Sequence, residues 1–261
     1  MSRTLDPRRM GGVARLYGES GAERLAASHV VVVGLGGVGS WAVEALVRSG
    51  VGRLTLIDGD SVEASNTNRQ LPAIDPEYGR PKAEVLAERC RRIHPDCDVR
   101  AVVSFVTPEN VSTVIPPCDW VVDCIDDLTA KAVLCAEMKK IGRPIVVAGG
   151  AGGKVDPGFV TVDDLARAKG DALTSKLRTM LRKQYGFPRG RADGKSEPFG
   201  IPCVYSSEPL RQPEAANNEA IGAAPDVRVG FGASAAVTGT VGLRAASLVV
   251  NAVAFADGQS R

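Results

Sequence analysis

A doubly wound α/β fold, built on a mainly parallel sheet with helices on both faces, is predicted by two features of this sequence. Short apolar segments alternate with amphipathic segments of helical period between residues 29 and 148, and a glycine-rich turn joins the first such pair. Strands separated by helices imply parallel pairing through right-handed crossovers. With 261 residues, of which 44% are hydrophobic, the chain can bury the core of one large domain of this class.

The first predicted strand covers residues 30–33 and runs through the glycine-rich turn into a helical segment, residues 40–49. Glycines let the backbone turn sharply and approach a phosphate closely, while the helix that follows presents free N–H groups and the positive end of its dipole. The spacing Gly-x-Gly-x-x-Gly therefore predicts a Rossmann-like nucleotide-binding turn. Its glycines are Gly34, Gly36, Gly37 and Gly39.

The second predicted strand, residues 53–57, ends on Asp58, about twenty residues past the last glycine of the turn. A carboxylate at this place can accept hydrogen bonds from ribose hydroxyls. Because strand, turn, helix and acid agree, we predict a nucleotide site rather than a turn that serves packing alone. The polar residues that follow favour contacts to phosphates, for which a nicotinamide enzyme has no need: Asn66, Asn68, Arg69 and Lys82. Asp60 is a further candidate for binding the cofactor.

The remaining elements of the core alternate in the same way. A helix is predicted over 82–92, a strand over 99–103, a short helix capped by Thr107, Pro108 and Glu109, a strand over 120–125, a helix over 128–141 and a strand over 145–148. Ligands of such sheets bind beyond the carboxyl ends of the strands. One crevice can therefore hold all the residues that follow strand ends: Gly34, Asp58, Asp126 and Gly149.

Beyond residue 153 the pattern loosens, and we divide the chain into an amino-terminal segment (1–28), a nucleotide-binding core (29–153) and a carboxyl-terminal extension (154–261). Residues 231–255 of the extension are apolar enough to span a membrane, with Arg244 as the only charge. Their small side chains equally suit a helix packed inside a protein or at a dimer interface, and a central arginine costs a few kcal/mol in a bilayer. We expect the packed helix and no stable membrane insertion; membrane association through this segment is the alternative.

In the extension, residues 161–164 lead into a basic amphipathic helix (173–185), which is followed by a loop rich in glycine, proline and charge. Its basic residues are either a solvated surface or a patch that binds a nucleic-acid backbone, with Tyr185 and Phe187 stacking on bases. The net charge of +2 neither demands nor forbids nucleic acid. The basic residues are Lys176, Arg178, Arg182, Lys183, Arg189, Arg191 and Lys195.

The six cysteines never form a Cys-x-x-Cys pair, so neither a zinc clip nor a paired redox motif is indicated. Cys90, Cys124 and Cys135 lie in apolar segments, which predicts small buried hydrophobic residues, and Cys203 is predicted to be a buried strand thiol. No apolar run of the kind found in signal peptides precedes His29. We therefore expect the protein in the reducing cytoplasm.

Several motifs resemble the adenylating domains of the ubiquitin-activating-enzyme superfamily, which includes the activators of bacterial sulfur-carrier proteins. They are GLGGVG, LIDGDSVEASNTNRQ, GRPKAE and VVDCIDD. Further motifs resemble the tRNA threonylcarbamoyladenosine dehydratase branch of that superfamily, which uses ATP to cyclise a modified adenosine beside the anticodon. They are MGGVARLYGE, NTNRQ, FVTPENV, GGAGGKVDP and CVYSSE. The resemblance covers nearly the whole chain except residues 186–228.

The resemblance implies ATP and magnesium as cofactors and a carboxylate as the group that is adenylylated. It marks Arg69 and Lys82 as phosphate contacts. Without the resemblance, either residue could be a surface residue at the start of a helix. Asp126 would bind or orient magnesium. Since a helix begins at residue 128, one of the two neighbouring aspartates is a helix cap, and we assign that role to Asp127.

The resemblance also implies partners. An arginine from the amino-terminal segment of one subunit lies over the triphosphate of the other, which would make a homodimer necessary for activity. Arg15 is the candidate, with Arg9 behind it and an ordinary surface arginine as the alternative. The further partners implied are tRNA and a sulfur-transfer (cysteine desulfurase) system.

Three other functions stay open on the sequence. An enzyme that activates a ubiquitin-like sulfur carrier should have a cysteine nucleophile or a zinc ribbon in the carboxyl-terminal half, where Cys203 stands alone. Where some relatives have a cysteine, this chain reads DVRVG (226–230), which argues against a role in accepting sulfur. A non-catalytic protein that binds nucleotide or tRNA is the second alternative, and a nicotinamide oxidoreductase ranks below both.

Overall fold

Seven strands form one sheet at the centre of the protein. The computed structural model describes residues 6–190, 197–211 and 231–256. In chain order the strands are β1 (His29–Val33), β2 (Arg53–Ile57), β3 (Asp98–Val102), β4 (Trp120–Asp123), β5 (Ile145–Ala148), β6 (Val160–Asp164) and β7 (Pro202–Ser206). Their order across the sheet is β3-β2-β1-β4-β5-β7-β6, and β6 pairs antiparallel with β7 whereas the other pairs are parallel. The predicted doubly wound, mainly parallel fold is confirmed.

Helices cover both faces of the sheet, because the side chains of the strands alternate between two apolar cores. Val30 and Val32 of β1 belong to one core, and Val31 and Val33 belong to the other. Helices α2, α3 and α7 pack on the first core, and α5 and α6 pack on the second. The helices are α1 (Pro7–Ala27), α2 (Gly39–Arg48), α3 (Lys82–Ile93), α4 (Val111–Val114), α5 (Leu128–Lys140), α6 (Ala172–Gln184) and α7 (Ala235–Ala254).

Strand β4 ends two residues earlier than the sequence predicts. The carboxylate of Asp123 accepts a hydrogen bond from the backbone N–H of Ile125 at 3.0 Å, which turns the chain out of the sheet before Asp126. In the extension, β6 and β7 join the same sheet as the core strands. The boundary drawn at residue 153 therefore stays a prediction about the organisation of the chain.

The apolar segment near the carboxyl terminus forms α7, which packs mainly against α2. By length and composition this helix could cross a membrane, and half of its apolar window is buried inside the protein. At Gly242 an added Cβ would lie 2.3 Å from the backbone oxygen of Val38, so the two helices approach backbone to backbone. The small residues of α7 thus serve close packing in the core, as expected.

Helix α1 was not predicted from the sequence. It is interrupted at Gly18, whose φ is 74°, and its contacts are with residues distant in sequence. The guanidinium of Arg24 donates to the backbone oxygens of Val253 and Ala254, and the rings of Tyr17 and Phe255 lie 5.6 Å apart. The amino-terminal segment is therefore fixed against the carboxyl-terminal end of α7.

Replacing Gly34 by alanine should destabilise the fold more than the same change at Gly36. Gly34 has a φ of +83°, and an added Cβ would lie 2.8 Å from the backbone carbon of Cys124. We expect a loss of about 2–4 kcal/mol, because a strained φ and overpacking each cost about 1–3 kcal/mol. The free energy of unfolding in urea would measure it.

Gly36→Ala is the matched control, because the nearest atom to its added Cβ is the side-chain nitrogen of Gln70 at 3.7 Å. We expect the free energy of unfolding of this variant to be close to that of the unaltered protein. Equal losses for the two variants would contradict the explanation from close approach and positive φ.

Candidate nucleotide site

A cavity of about 1160 Å³ opens at the carboxyl ends of β1, β2, β4 and β5. Nucleotide and cofactor pockets commonly measure about 300–1,000 Å³, so this one is large for a single ligand. Residues predicted from four separate strand ends meet in its wall, as the rule for such sheets requires. They include Gly34, Asp58, Asp126 and Gly149.

The glycine-rich turn forms the floor of the cavity, but its glycines serve different purposes. Gly34, Gly36 and Gly37 line the cavity. Gly39 does not: an added Cβ there would lie 1.8 Å from the backbone oxygen of Gly34, so this glycine allows the turn to close on itself. The structure therefore gives Gly39 a packing role, and its predicted contact with the nucleotide stays a prediction.

Asp58 stands at the end of β2 with 8% of its surface exposed. Its two carboxylate oxygens accept hydrogen bonds from the backbone N–H groups of Leu35 at 2.6 Å and Asp60 at 2.8 Å. Burial raises the pKa of this carboxyl, and the two hydrogen bonds oppose that effect. The carboxylate thus fixes the glycine turn and still lines the cavity, where a ribose would meet it.

Two cations reach the cavity from the polar segment after β2. The ammonium of Lys82 lies 2.9 Å from a carboxylate oxygen of Asp60, and only 7% of the lysine side chain is exposed. The guanidinium of Arg69 donates to the backbone oxygen of Ser65 at 3.0 Å and to Oδ1 of Asn68 at 2.9 Å. Both residues line the cavity, so the structure brings the two predicted cations to one site, and their contact with phosphates stays a prediction.

The two asparagines of this segment do not offer the free donors that the sequence led us to expect. Asn66 accepts from the backbone N–H of Glu63 at 3.2 Å and donates to the hydroxyl of Ser65 at 3.3 Å, closing a short helical turn. Asn68 donates to the backbone oxygen of Ala233 at 2.9 Å. Their amides therefore shape the cavity wall, because they hold its segments together.

Of the two neighbouring aspartates, Asp127 is the helix cap, as predicted. Asp127 caps α5 by accepting from the backbone N–H of Ala130 at 2.8 Å. Asp126 is exposed on the cavity wall and has no side-chain hydrogen bond or ion pair with the described residues. A carboxylate left without a protein partner can bind a cation.

A buried ion pair that the sequence analysis missed lies behind this turn. The ammonium of Lys131 in α5 is 2.9 Å from Oδ2 of Asp123, and both side chains are fully buried. Burial alone would lower the pKa of Lys131, but the charge of Asp123 outweighs it and the pKa is raised. Because the other oxygen of Asp123 holds the backbone of Ile125, the pair supports the turn that carries Asp126.

The predicted basic patch on α6 is only partly a surface. Lys176, Lys183 and Arg189 are exposed, whereas Arg178 and Arg182 donate to the backbone oxygens of Ala168 and Pro188. Arg191 and Lys195 lie outside the described residues.

The aromatic part of that prediction is wrong for one residue. Phe187 is 6% exposed and packs edge-on against Phe199, with ring centroids 4.9 Å apart. The guanidinium of Arg182 lies over the same Phe199 ring at 5.3 Å. These contacts close the end of α6 and leave Tyr185, which is half-buried, as the remaining aromatic candidate.

Arg15 is exposed on α1 and does not line the cavity of its own subunit. It stands two residues before Tyr17, which contacts Phe255 just beyond α7. Thr238, near the other end of α7, lines the cavity. The 16 residues from Thr238 to Ala254 span about 24 Å of helix, so Arg15 lies far from the cavity of its own subunit, and a role at the partner's site stays a prediction.

The cysteines are buried thiols, as predicted for Cys90 and Cys135, whereas Cys124 is only partly covered. Burial raises the pKa of the Cys203 thiol in β7 to about 12. A thiol with such a pKa holds its proton at neutral pH and is a poor nucleophile.

Comparison with known proteins identifies the family. The chain matches the ThiF family over residues 8–255, which is nearly its whole length. The chain belongs to the ThiF family. Within that family, the tRNA threonylcarbamoyladenosine dehydratase of Escherichia coli strain K12 is 44% identical over 247 residues, which are 92% of this chain and 91% of that protein.

The crystal structure of the E. coli tRNA N6-threonylcarbamoyladenosine dehydratase, TcdA, in complex with ATP matches with a TM-score of 0.87 and 41% identity, covering 99% of this chain and 100% of that one. The sulfur carrier protein adenylyltransferase of Thermus thermophilus is 36% identical over only 129 residues, which are 49% of this chain and 48% of that protein. The resemblance to the dehydratase branch of the ThiF family is confirmed.

Proposed function

We propose that this chain is an ATP-dependent dehydratase, which adenylylates the threonyl carboxylate of threonylcarbamoyladenosine in tRNA and closes it to the cyclic form. One observation carries the proposal: the structure of the E. coli dehydratase in complex with ATP matches 99% of this chain. In this chain a glycine turn, an acid and two cations line one cavity. ATP is therefore the cofactor and tRNA the substrate. The cytoplasm, where tRNA is modified in bacteria, is the proposed location.

The chemistry has two steps that the cavity residues can support. In the first, a carboxylate oxygen attacks the α-phosphorus of ATP, a new P–O bond forms and the bond to pyrophosphate breaks. Negative charge builds on the α-phosphate and on the leaving pyrophosphate, and Arg69 and Lys82 are the side chains that would meet it. Asp58 would hold the ribose of ATP against the glycine turn.

In the second step a nucleophile of the same modification attacks the acyl carbon and gives up its proton, and AMP leaves with the former carboxylate oxygen. The product therefore lacks one water relative to the substrate. Since the nucleophile belongs to the substrate, proximity supplies it and no enzyme thiol is required. The burial of Cys203 is consistent with a reaction that uses no enzyme thiol.

Magnesium fits the donor set of this cavity. It prefers oxygen ligands and commonly binds through one or two carboxylates together with substrate phosphates. Asp126 offers such a carboxylate, exposed on the wall and without a partner among the described residues. When bound there, magnesium would neutralise charge on the phosphates.

The direct test uses tRNA that carries the open modification, together with ATP and magnesium. We expect the purified protein to release pyrophosphate and AMP and to convert the nucleoside to a form lighter by one water, read by mass spectrometry. Persistence of the open form with a folded preparation that binds ATP would overturn the proposal. Release of pyrophosphate with a sulfur-carrier protein in place of tRNA would favour the carrier-activating alternative.

A homodimer with shared sites is part of the proposal, and it makes a sharp prediction for mixed variants. Arg15→Ala and Lys82→Ala should each be nearly inactive alone. If Arg15 serves the partner's site, a mixed dimer keeps one intact site, and random mixing restores about one quarter of the unaltered activity. The measurement is turnover before and after the two variants are unfolded and refolded together.

If Arg15 instead served its own subunit, each site of the mixed dimer would lack one of the two residues, and mixing would restore nothing. Arg9→Ala mixed with Lys82→Ala would then show whether the neighbouring arginine serves in its place. A cysteine desulfurase partner stays a prediction, and the high pKa of the Cys203 thiol gives it no support.

A further inference from the structure

We infer that Phe231 stacks on the purine base of the tRNA nucleoside that is modified. The cavity wall around Phe231 is then the part of the site that binds the tRNA. The inference rests on the proposed function, because that reaction needs two nucleosides in one site: the adenosine of ATP and the modified adenosine of tRNA. A cavity of about 1160 Å³ exceeds the usual range of about 300–1,000 Å³ for one ligand.

The two sides of the cavity differ in chemistry. The side toward β2 carries the charges of Asp58, Arg69 and Lys82, and Asp126 and Asp127 after β4 are charged as well. Another part of the wall consists of residues 149–152 after β5, Leu173, Phe231–Ala233 and Thr238, and no described residue in this set is charged. Such a wall suits the flat, uncharged face of a base and not a triphosphate.

The ring of Phe231 is half exposed although hydrogen bonds hold the backbone beside it. Its exposed fraction is 49%, although the backbone around it is fixed: the N–H of Gly153 donates to the oxygen of Gly232 at 2.9 Å, and Gly152 pairs with Ala233. An added Cβ at Gly153 would lie 3.1 Å from the Cβ of Phe231. An aromatic ring held open on a rigid backbone is a platform for stacking.

This platform is joined directly to the phosphate side. The oxygen of Ala233 accepts from the amide of Asn68, and the oxygen of that amide accepts from Arg69, at 2.9 Å in both cases. A base stacked on Phe231 would thus lie on a segment that is hydrogen-bonded, through Asn68, to a cation proposed to meet the phosphates.

A second exposed aromatic ring, that of Phe105, lies near Asp58, the acid proposed to hold the ribose of ATP. Phe105, in the FVTPENV motif, is 60% exposed on the other rim and crowds Gly59, where an added Cβ would lie 2.6 Å from its ring. Gly59 follows the ribose acid Asp58 directly. Because Phe105 lies near the residues proposed to bind ATP, we assign the adenine of ATP to Phe105 and the base of the tRNA nucleoside to Phe231.

The test compares Phe231→Ala, Phe231→Leu and Phe231→Tyr with Phe159→Ala, which removes a phenylalanine that is 45% exposed and lies outside the cavity. Turnover is measured against the concentration of tRNA carrying the open modification, and ATP binding is measured separately by calorimetry. For the alanine variant we expect KM for tRNA to rise about 5- to 150-fold, the loss typical of one stacked base. ATP affinity should stay within about twofold, because a stack with the second substrate does not touch ATP.

The tyrosine variant should restore KM and the leucine variant should not, since leucine fills the space without an aromatic face. Unchanged KM in the alanine variant would overturn the inference, as would equal losses of ATP and tRNA affinity or full function with leucine. Failure of the unaltered protein to act on tRNA at all would instead count against the proposed function.

Discussion

Replacing Lys82 by alanine is expected to lower the rate of ATP-dependent adenylylation by about 10²- to 10³-fold, the effect of removing one fixed donor that meets developing charge. Lys82 begins α3 with 7% of its side chain exposed, and its ammonium is fixed by Asp60 at 2.9 Å. A cation placed in advance costs no reorganisation when pyrophosphate leaves. The exchange of labelled pyrophosphate into ATP and the turnover of modified tRNA would both report the loss.

The variant should fold, which makes the loss of activity interpretable. Asp60, the partner left behind, has a side chain that is 55% exposed, so water can solvate its charge. The substitution therefore leaves no buried carboxylate of this pair without its partner, which is the costly outcome when a buried pair is broken. We therefore expect the free energy of unfolding to change little.

Lys140→Ala is the matched control for this substitution. Lys140 lies at the end of α5, outside the cavity, and pairs with Glu137 at 3.2 Å with 74% of its side chain exposed. Its loss should alter neither exchange nor turnover. If Lys82→Ala kept rates like those of the control, phosphate contact by Lys82 would be ruled out.

Much of the cavity could be predicted from the sequence because its signals are local. The apolar run of β1, the glycine spacing after it and the acid at the end of β2 are separated by fixed short distances, and each follows from the geometry of a strand, a turn and a helix. The observed bounds of β2, residues 53–57, agree with prediction at both ends. The cap on α5 at Asp127 likewise follows from the residue before the helix.

What could not be predicted depends on contacts between distant segments. Helix α1 contains an internal break at Gly18 and is held by Arg24, whose partners are 229 and 230 residues away. Phe187 directly precedes the loop rich in glycine, proline and charge, which predicts exposure, yet its ring packs on Phe199 near the end of that loop. Lys131 lies in the middle of a helix, where a lysine is ordinarily solvated.

The second large effect is expected at this buried lysine. Lys131→Met leaves Asp123 fully buried without its partner, and breaking one side of a buried pair costs about 3–5 kcal/mol. The double variant Lys131→Met, Asp123→Asn carries no buried charge and should recover most of that loss. Unfolding in urea for both variants and the unaltered protein would measure the difference.

The loss in the single variant should also depend on pH, and the direction follows from burial. Burial raises the pKa of Asp123, and without Lys131 only the hydrogen bond from the backbone N–H of Ile125 opposes that effect. The folded variant then keeps a proton that the unfolded chain releases above about pH 4, so stability falls as the pH rises from there toward the folded pKa. Its deficit relative to the double variant should therefore be larger at neutral than at acidic pH. A deficit independent of pH would mean that lost packing, and not the unpaired carboxylate, causes the destabilisation.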